Sequence, residues 1–142
     1  VQDPARQPEQ MKALYECGLN IGMAFQMIDD ALDYDLQNVE TGKERGTDLK
    51  ERKITLPLSH LIQNAKEEDK RAVSGILNED LITDDHVKTV CDLMEHYNSV
   101  KYVLQRAKDY SDNAKSSLES IADSACKAAL CELADFVISR KK

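Results

Sequence analysis

The chain has 142 residues, 42% of them hydrophobic, and a formal net charge of −7. That length and apolar content are enough for one domain with a buried core, whereas the negative charge argues against nucleic acid or an anionic membrane as the main partner. No apolar run approaches the roughly 18 residues that a membrane-spanning helix needs, so the sequence predicts no transmembrane segment.

The composition predicts an all-α protein. Glycine and proline are few, alternating β-branched runs are scarce, and residues that favour helices dominate. The four cysteines form no Cys-x-x-Cys pair, which favours reduced, buried thiols over a zinc site or a disulfide framework and suggests a cytoplasmic protein. They are Cys17, Cys91, Cys126 and Cys131.

In chain order, the polar residues 1–8 are expected to be loosely ordered, and one long helix is predicted from about residue 9 to residue 35. The charged segment 36–52 contains two glycines and little apolar content, so it is predicted to be an active-site loop. Apolar periodicity then resumes, and the whole chain is expected to form a single domain. The later helices are predicted over about 66–78, 84–97, 99–121 and 123–140.

One face of the predicted long helix carries an unusual set of residues. At about 100° per residue, a single stripe contains two glycines, an amide and three carboxylates. They are Gly18, Gly22, Gln26, Asp29, Asp30 and Asp33. Each glycine costs a helix about 1 kcal/mol relative to alanine. Either close helix packing or a ligand cavity against the backbone would explain the pair.

The carboxylates point to a cation. Asp29 and Asp33 are a like-charge i,i+4 pair, and Asp30 lies with them near the negative end of the helix dipole, so a compensating charge is expected. Oxygen-only ligands favour magnesium or calcium over zinc or copper. A solvated acidic helix end is the alternative interpretation of the same residues.

The segment that follows carries the opposite charge. Basic side chains recur through it, and Gly42 and Gly46 allow tight turns beside a ligand. Carboxylates followed by lysines suit a Mg²⁺–diphosphate complex, because magnesium is commonly held by a few carboxylates together with substrate phosphates. Taken alone, the basic run is also typical of a solvated surface. Its members are Lys43, Arg45, Lys50, Arg52 and Lys53.

Two separated motifs resemble one enzyme family, the trans-type polyprenyl diphosphate synthases. The first is similar to that family's second aspartate-rich motif, and the second follows in the order and spacing that the family shows. The matching positions are Gly22, Phe25, Gln26, Asp29, Asp30, Asp33 and Tyr34, then Gly42, Lys43, Gly46, Asp48, Leu49, Lys53, Ile54, Thr55, Leu56 and Pro57. The chain looks most like the long-chain, octaprenyl-like branch. The resemblance implies an all-α antiparallel or orthogonal helix bundle of the isoprenoid synthase type.

The resemblance also implies an activity, the condensation of isopentenyl diphosphate with an allylic diphosphate to make a longer polyprenyl diphosphate. Ionisation of the allylic C–O bond would make catalysis mostly electrostatic, with Mg²⁺ as the cofactor. By the same resemblance, Asp29 is a direct magnesium ligand, and Asp33 and Asp30 complete the shell directly or through water. Lys43 and Lys53 would hold the allylic diphosphate.

Gln26 would direct its amide oxygen toward the developing cation, and Phe25 would line the isoprenoid side. The chain departs from the family in two ways. Arg52 stands where the family often has glycine, and no first aspartate-rich motif or upstream basic site for isopentenyl diphosphate is found. We therefore expect the C-terminal part of such an enzyme, inactive alone. We also expect it to form a homodimer through the helix flank that carries Met23 and Met27.

Two other classes fit parts of the sequence. Asp33, Asp35, Gln37 and Glu44 fall at the first, third, fifth and twelfth positions of an EF-hand loop, so a calcium-binding loop over 33–44 is one alternative. Its sixth position is Asn38, where glycine is usual. A non-catalytic helical scaffold or regulatory subunit that keeps the motifs is the other alternative. The scattered histidines are expected to have structural or surface roles.

Overall fold

The computed structural model describes residues 7–35 and 45–140, and within these ranges it contains helices, turns and coil but no strand. The prediction of an all-α protein is confirmed. The helices are α1 (Gln7–Leu32), α2 (Thr47–Lys50), α3 (Leu56–Asn64), α4 (Glu67–Asn78), α5 (Asp84–His96), α6 (Ser99–Ser117) and α7 (Ala125–Ser139). Within the described ranges, no helix has both the length and the apolar character that a membrane crossing requires.

Helix α1 is the long helix that the sequence predicts, with different ends. It begins at Gln7, so Gln7 and Pro8 belong to the helix rather than to the loosely ordered segment. Proline is tolerated in a first turn because the amide it lacks has no intrahelical partner there. The helix ends at Leu32, and the amide of Tyr34 donates to the carbonyl of Ala31 at 3.2 Å in the turn that follows.

The later helices lie close to their predicted ranges. Pro57 lies in the first turn of α3, and Thr83 is the N-cap residue of α5. Thr83 accepts a hydrogen bond from the amide of His86 at 3.3 Å, and the His86 ring accepts one from the amide of Thr83 at 3.3 Å. This reciprocal capping satisfies two amides that the first turn leaves unpaired, so His86 has a structural role.

The described residues form two compact units. The first unit contains residues 7–28 and Gln105–Arg140. Its buried cluster consists mostly of small side chains, namely Cys17, Ala114, Leu118 and Ala134. Met27 is only 8% exposed whereas Met23 is 38% exposed. The flank that was expected to self-associate is therefore not continuous, because Met27 turns away from solvent.

The second unit contains the described part of Asp29–Leu104. Its core is built from larger side chains contributed by α3, α4, α5 and the turn after α1. They are Tyr34, Leu49, Leu58, Leu61, Ala65, Val73, Ile76, Ile82, Val87, Val90, Cys91 and Met94. Cys91 is buried, as is Cys17 in the first unit, but Cys126 is exposed, so the expectation of buried thiols is wrong for Cys126.

Candidate active site

The three aspartates of the stripe lie together at the end of α1 and in the turn after it. Asp29, Asp30 and Asp33 are half-buried, and each has an interaction partner. Among the described residues, no three acidic, histidine or cysteine side chains converge on a point that could hold a metal ion.

The two glycines of the stripe are not needed for close packing. A Cβ atom added to Gly18 or Gly22 would have no atom of the described residues within 4 Å. Both positions are exposed. Packing among the described residues therefore does not require these glycines, and an open face of α1 is compatible with the ligand-cavity interpretation.

Asp33 joins the end of α1 to the start of α2. Its Oδ2 accepts a hydrogen bond from the amide of Asp48 at 2.9 Å, and its carbonyl accepts one from the amide of Gly46 at 3.0 Å. The N-cap residue of α2 is Gly46, whose lack of a side chain leaves the first amides of the helix without a local acceptor. Asp33 therefore supplies, from the turn after α1, the capping oxygen that serine or aspartate usually provides from the cap itself.

Helix α2 ends in a Schellman motif that sets the position of Lys53. The amide of Arg52 donates to the carbonyl of Leu49 at 2.9 Å, and the amide of Lys53 donates to the carbonyl of Asp48 at 2.8 Å. Arg52 has φ 57°, the left-handed conformation that this motif requires and that glycine usually supplies. The resemblance noted above places glycine here in many relatives, and the observed backbone gives the physical reason.

The same motif brings the side chains of Lys53 and Asp48 together. Lys53 Nζ lies 3.6 Å from Asp48 Oδ1 and also forms an ion pair with Glu51. The hydrogen bond to Glu51 is the main reason that the pKa of Lys53 is raised, with a smaller contribution from Asp48. Asp48 thus contacts Asp33 through its amide and Lys53 through its carboxylate, and it links the aspartate stripe to the basic segment.

Sequence reasoning placed Asp48 in a motif but missed its role as this link. The signal was present, because an acidic residue in the first turn of a helix beside a cap is a recognised pattern. Of the two lysines predicted to hold a diphosphate, Lys53 is exposed and 60% accessible at its side chain. Lys43 lies outside the described residues, as do residues 36–44 of the loop 33–44 on which the EF-hand alternative depends.

Arg140 makes a contact with a predicted site residue that the sequence did not reveal. Its guanidinium carbon lies 3.9 Å from the centre of the Phe25 ring, a cation–π contact within the first unit. Phe25 is 43% exposed and the neighbouring Gln26 is exposed, so both side chains are accessible. Nothing local in the sequence pairs residue 140 with residue 25.

The comparisons with known proteins agree on one family. The sequence profile of the family described as polyprenyl synthetase matches residues 3–94, more than half of the chain. Octaprenyl diphosphate synthase of Escherichia coli is 32% identical over 136 residues, which cover 95% of this chain and 42% of that enzyme. A short chain isoprenyl diphosphate synthase of Methanothermobacter thermautotrophicus is 33% identical over 137 residues, which cover 94% of this chain and 41% of that enzyme. The chain thus spans about two fifths of the length of these curated relatives.

Solved structures agree in fold. Geranylgeranyl pyrophosphate synthetase from Pyrococcus horikoshii matches with a TM-score of 0.86 and 35% identity, over 95% of this chain and 41% of that one. Polyprenyl synthase from Caulobacter crescentus, complexed with calcium and isoprenyl diphosphate, matches with a TM-score of 0.80 and 33% identity, over 96% of this chain and 42% of that one. These relatives favour neither a calcium-binding EF-hand nor a non-catalytic scaffold. The chain belongs to the polyprenyl synthetase family.

Proposed function

We propose that the protein to which this chain belongs condenses isopentenyl diphosphate with an allylic diphosphate to form a longer polyprenyl diphosphate. The observation that carries the proposal is the connection from the aspartate stripe through Asp33 and Asp48 to Lys53. Acidic and basic groups held side by side on capped helix ends suit a metal–diphosphate complex better than either charge alone. The family relationship supports the prenyl transfer chemistry.

Magnesium fits the residues at the end of α1. The candidate donors are carboxylate oxygens, which magnesium prefers, and they are half-buried rather than fully solvated. By resemblance to the family's second aspartate-rich motif, we assign Asp29 as the direct ligand, with Asp33 and Asp30 completing the shell directly or through water. When bound, the metal would neutralise charge that develops on the leaving diphosphate. The calcium and isoprenyl diphosphate in the Caulobacter structure support a divalent cation in this family.

Lys53 would hold the allylic diphosphate by exchanging partners. Its ammonium group is paired with Glu51 and Asp48, and its raised pKa keeps it protonated through the neutral range. A diphosphate carries more negative charge than either carboxylate, so it would compete for the exposed Nζ. Lys43 would supply a second cation. Gln26 would direct its amide oxygen toward the allylic cation and Phe25 would line the isoprenoid side, positions supported by their exposure on α1.

The chain by itself is expected to be inactive in condensation. Its sequence contains no first aspartate-rich motif and no basic site for isopentenyl diphosphate upstream of α1. One wall of carboxylates would neutralise only part of the leaving diphosphate's charge. We also propose that the isolated chain forms a homodimer and that the protein is cytoplasmic, the latter supported by the free, buried thiols of Cys17 and Cys91.

The test of the proposed function is the substitution Asp29→Asn in the intact protein. Turnover with isopentenyl diphosphate and an allylic diphosphate should fall on the order of 10²-fold, because the substitution removes the charge of a carboxylate that would hold the Mg²⁺ for the leaving diphosphate. Thermal stability should be unchanged or slightly higher, since the like-charge repulsion with Asp33 is relieved. The matched control is Asp92→Asn, which neutralises an exposed carboxylate on α5. Turnover near the original value for Asp29→Asn would contradict the assignment.

A further inference from the structure

Arg52 holds the left-handed position of the Schellman motif without being glycine. Residues other than glycine rarely adopt φ values near the 57° of Arg52, because their Cβ atom crowds the neighbouring carbonyl. Such a residue persists when its surroundings over-determine the conformation. The question is therefore what the arginine side chain does that offsets this backbone cost.

The guanidinium of Arg52 binds the carboxyl end of α4. Its Nη2 donates to the carbonyls of Glu79 at 2.6 Å and Asp80 at 3.2 Å, and its Nη1 lies 3.4 Å from the carbonyl of Leu77. Helix α4 ends at Asn78, so these carbonyls belong to its last turn and to the residues just after it. A cation is favoured at this end of the helix dipole, and the planar fork of arginine can serve several carbonyls at once.

Two further contacts fix the same segment to the second unit's helices. Lys50 Nζ lies 2.8 Å from Asp84 Oδ1 at the start of α5. The Cα of Gly46 lies so close to Val87 that an added Cβ would stand 2.5 Å from the Val87 Cγ1 atom. Residues 46–53 are therefore held at both ends by the connection between α4 and α5 and by the first turns of α5.

We propose that Arg52 is a positioning residue, which ties the turn before Lys53 to the end of α4 and so holds the Lys53 ammonium group ready for a diphosphate. This inference rests on the proposed function of Lys53. Glycine at position 52 would adopt the left-handed φ of the turn without strain but could not bind the end of α4. Arginine binds the end of α4, but its backbone is strained at this φ. Hydrogen bonds that the Arg52 guanidinium donates to carbonyls at the end of α4 thus take the place of the backbone preference of glycine.

The experiment compares Arg52→Gly, Arg52→Ala and Arg52→Lys in the 142-residue chain. Binding of inorganic pyrophosphate with Mg²⁺ is measured by calorimetry below the unfolding temperature, and exchange of the Lys53 amide is followed by NMR. In Arg52→Gly we expect affinity to fall and amide exchange to rise, each roughly fivefold to tenfold, since about one net charged hydrogen bond is lost. Arg52→Ala should be worse because it keeps the strain, and Arg52→Lys should recover part of the affinity. Arg71→Ala removes an exposed arginine of α4 and should match the unaltered chain.

The outcomes separate the two proposals. If the unaltered chain binds pyrophosphate and Arg52→Gly binds it as tightly, position 52 needs only its φ and the inference is wrong. Faster exchange of the Lys53 amide with unchanged pyrophosphate affinity would show that Arg52 stabilises the turn without affecting diphosphate binding. This result would also overturn the inference. If the unaltered chain binds no pyrophosphate in the presence of Mg²⁺, the inference about Arg52 is wrong, whereas the proposed function of the intact protein is decided separately by the turnover of Asp29→Asn.

Discussion

The two units differ in where they place their large apolar side chains. In the second unit, leucines, valines and Met94 form the buried cluster. In the first unit, Leu118 is the large side chain of the buried cluster, whereas Met11, Leu14, Tyr15 and Leu19 of α1 are exposed. Burial of a large side chain contributes about 1.5–3 kcal/mol, much more than burial of alanine. The second unit thus buries more large side chains in its cluster, while the first leaves several large side chains of α1 on the surface.

The contrast predicts that a leucine-to-alanine substitution changes the free energy of unfolding much more in the second unit than on the exposed face of α1. Leu61→Ala in α3 removes a fully buried side chain and should lower the free energy of unfolding by about 2–5 kcal/mol. Leu14→Ala in α1 shortens an exposed side chain and should change it by less than about 0.5 kcal/mol. Urea denaturation followed by circular dichroism gives both values. Similar losses for the two variants would show that α1 is covered in solution.

The exposed face of α1 also predicts self-association of the isolated chain. An apolar surface of this kind usually finds a partner, and a two-fold dimer is the simplest closed arrangement. Tyr15→Lys should weaken association by about tenfold, since it replaces a ring with a repelling charge. Light scattering at micromolar concentration measures the effect. Leu81→Lys changes an exposed leucine of the second unit and serves as the control. A monomer of the unaltered chain would contradict the proposed homodimer.

A smaller effect is expected from pH, and two groups of the second unit contribute to it. Burial raises the pKa of Cys91 from its ordinary value of 9.0 to about 11, and burial raises the pKa of Tyr34 as well. Both groups bind their protons more tightly when folded, so their stabilising contribution is complete below pH 9.0 and is lost as the pH rises toward the folded values. Urea midpoints between pH 8 and pH 11 should fall, and Cys91→Ala should reduce the slope. An identical slope in Cys91→Ala would show that this thiol is not protected.

Much of the fold followed from local patterns. The apolar period of α1, the acidic first turn after Thr83 and the proline at the start of α3 each depend on neighbours within one or two turns. For the same reason the sequence placed three aspartates on adjacent turns at one end of a helix. These features are short-range, so the linear chain contains the information needed to predict them.

The remaining features depend on contacts between distant residues. Asp33 caps a helix that begins 14 residues later, Arg140 stacks on Phe25, and Met27 is buried because of where neighbouring helices lie. No periodicity in the sequence encodes these pairings. Arg52 illustrates the same limit, because the resemblance indicated that glycine is usual there but not that a neighbouring helix end would compensate for its absence.

The packing of Gly46 against Val87 has a consequence for how the sequence can change. A side chain at position 46 meets two separate obstacles, the Val87 methyl groups and its own φ of 63°. A smaller residue at position 87 removes only the first obstacle. The effect of a substitution at position 46 therefore depends on the residue at position 87, but the φ of position 46 still restricts which residues fit there. Substitutions at Val87 therefore have to precede any at Gly46, and only residues that tolerate the left-handed region can follow. The order of accessible mutations in this segment is set by one interatomic contact.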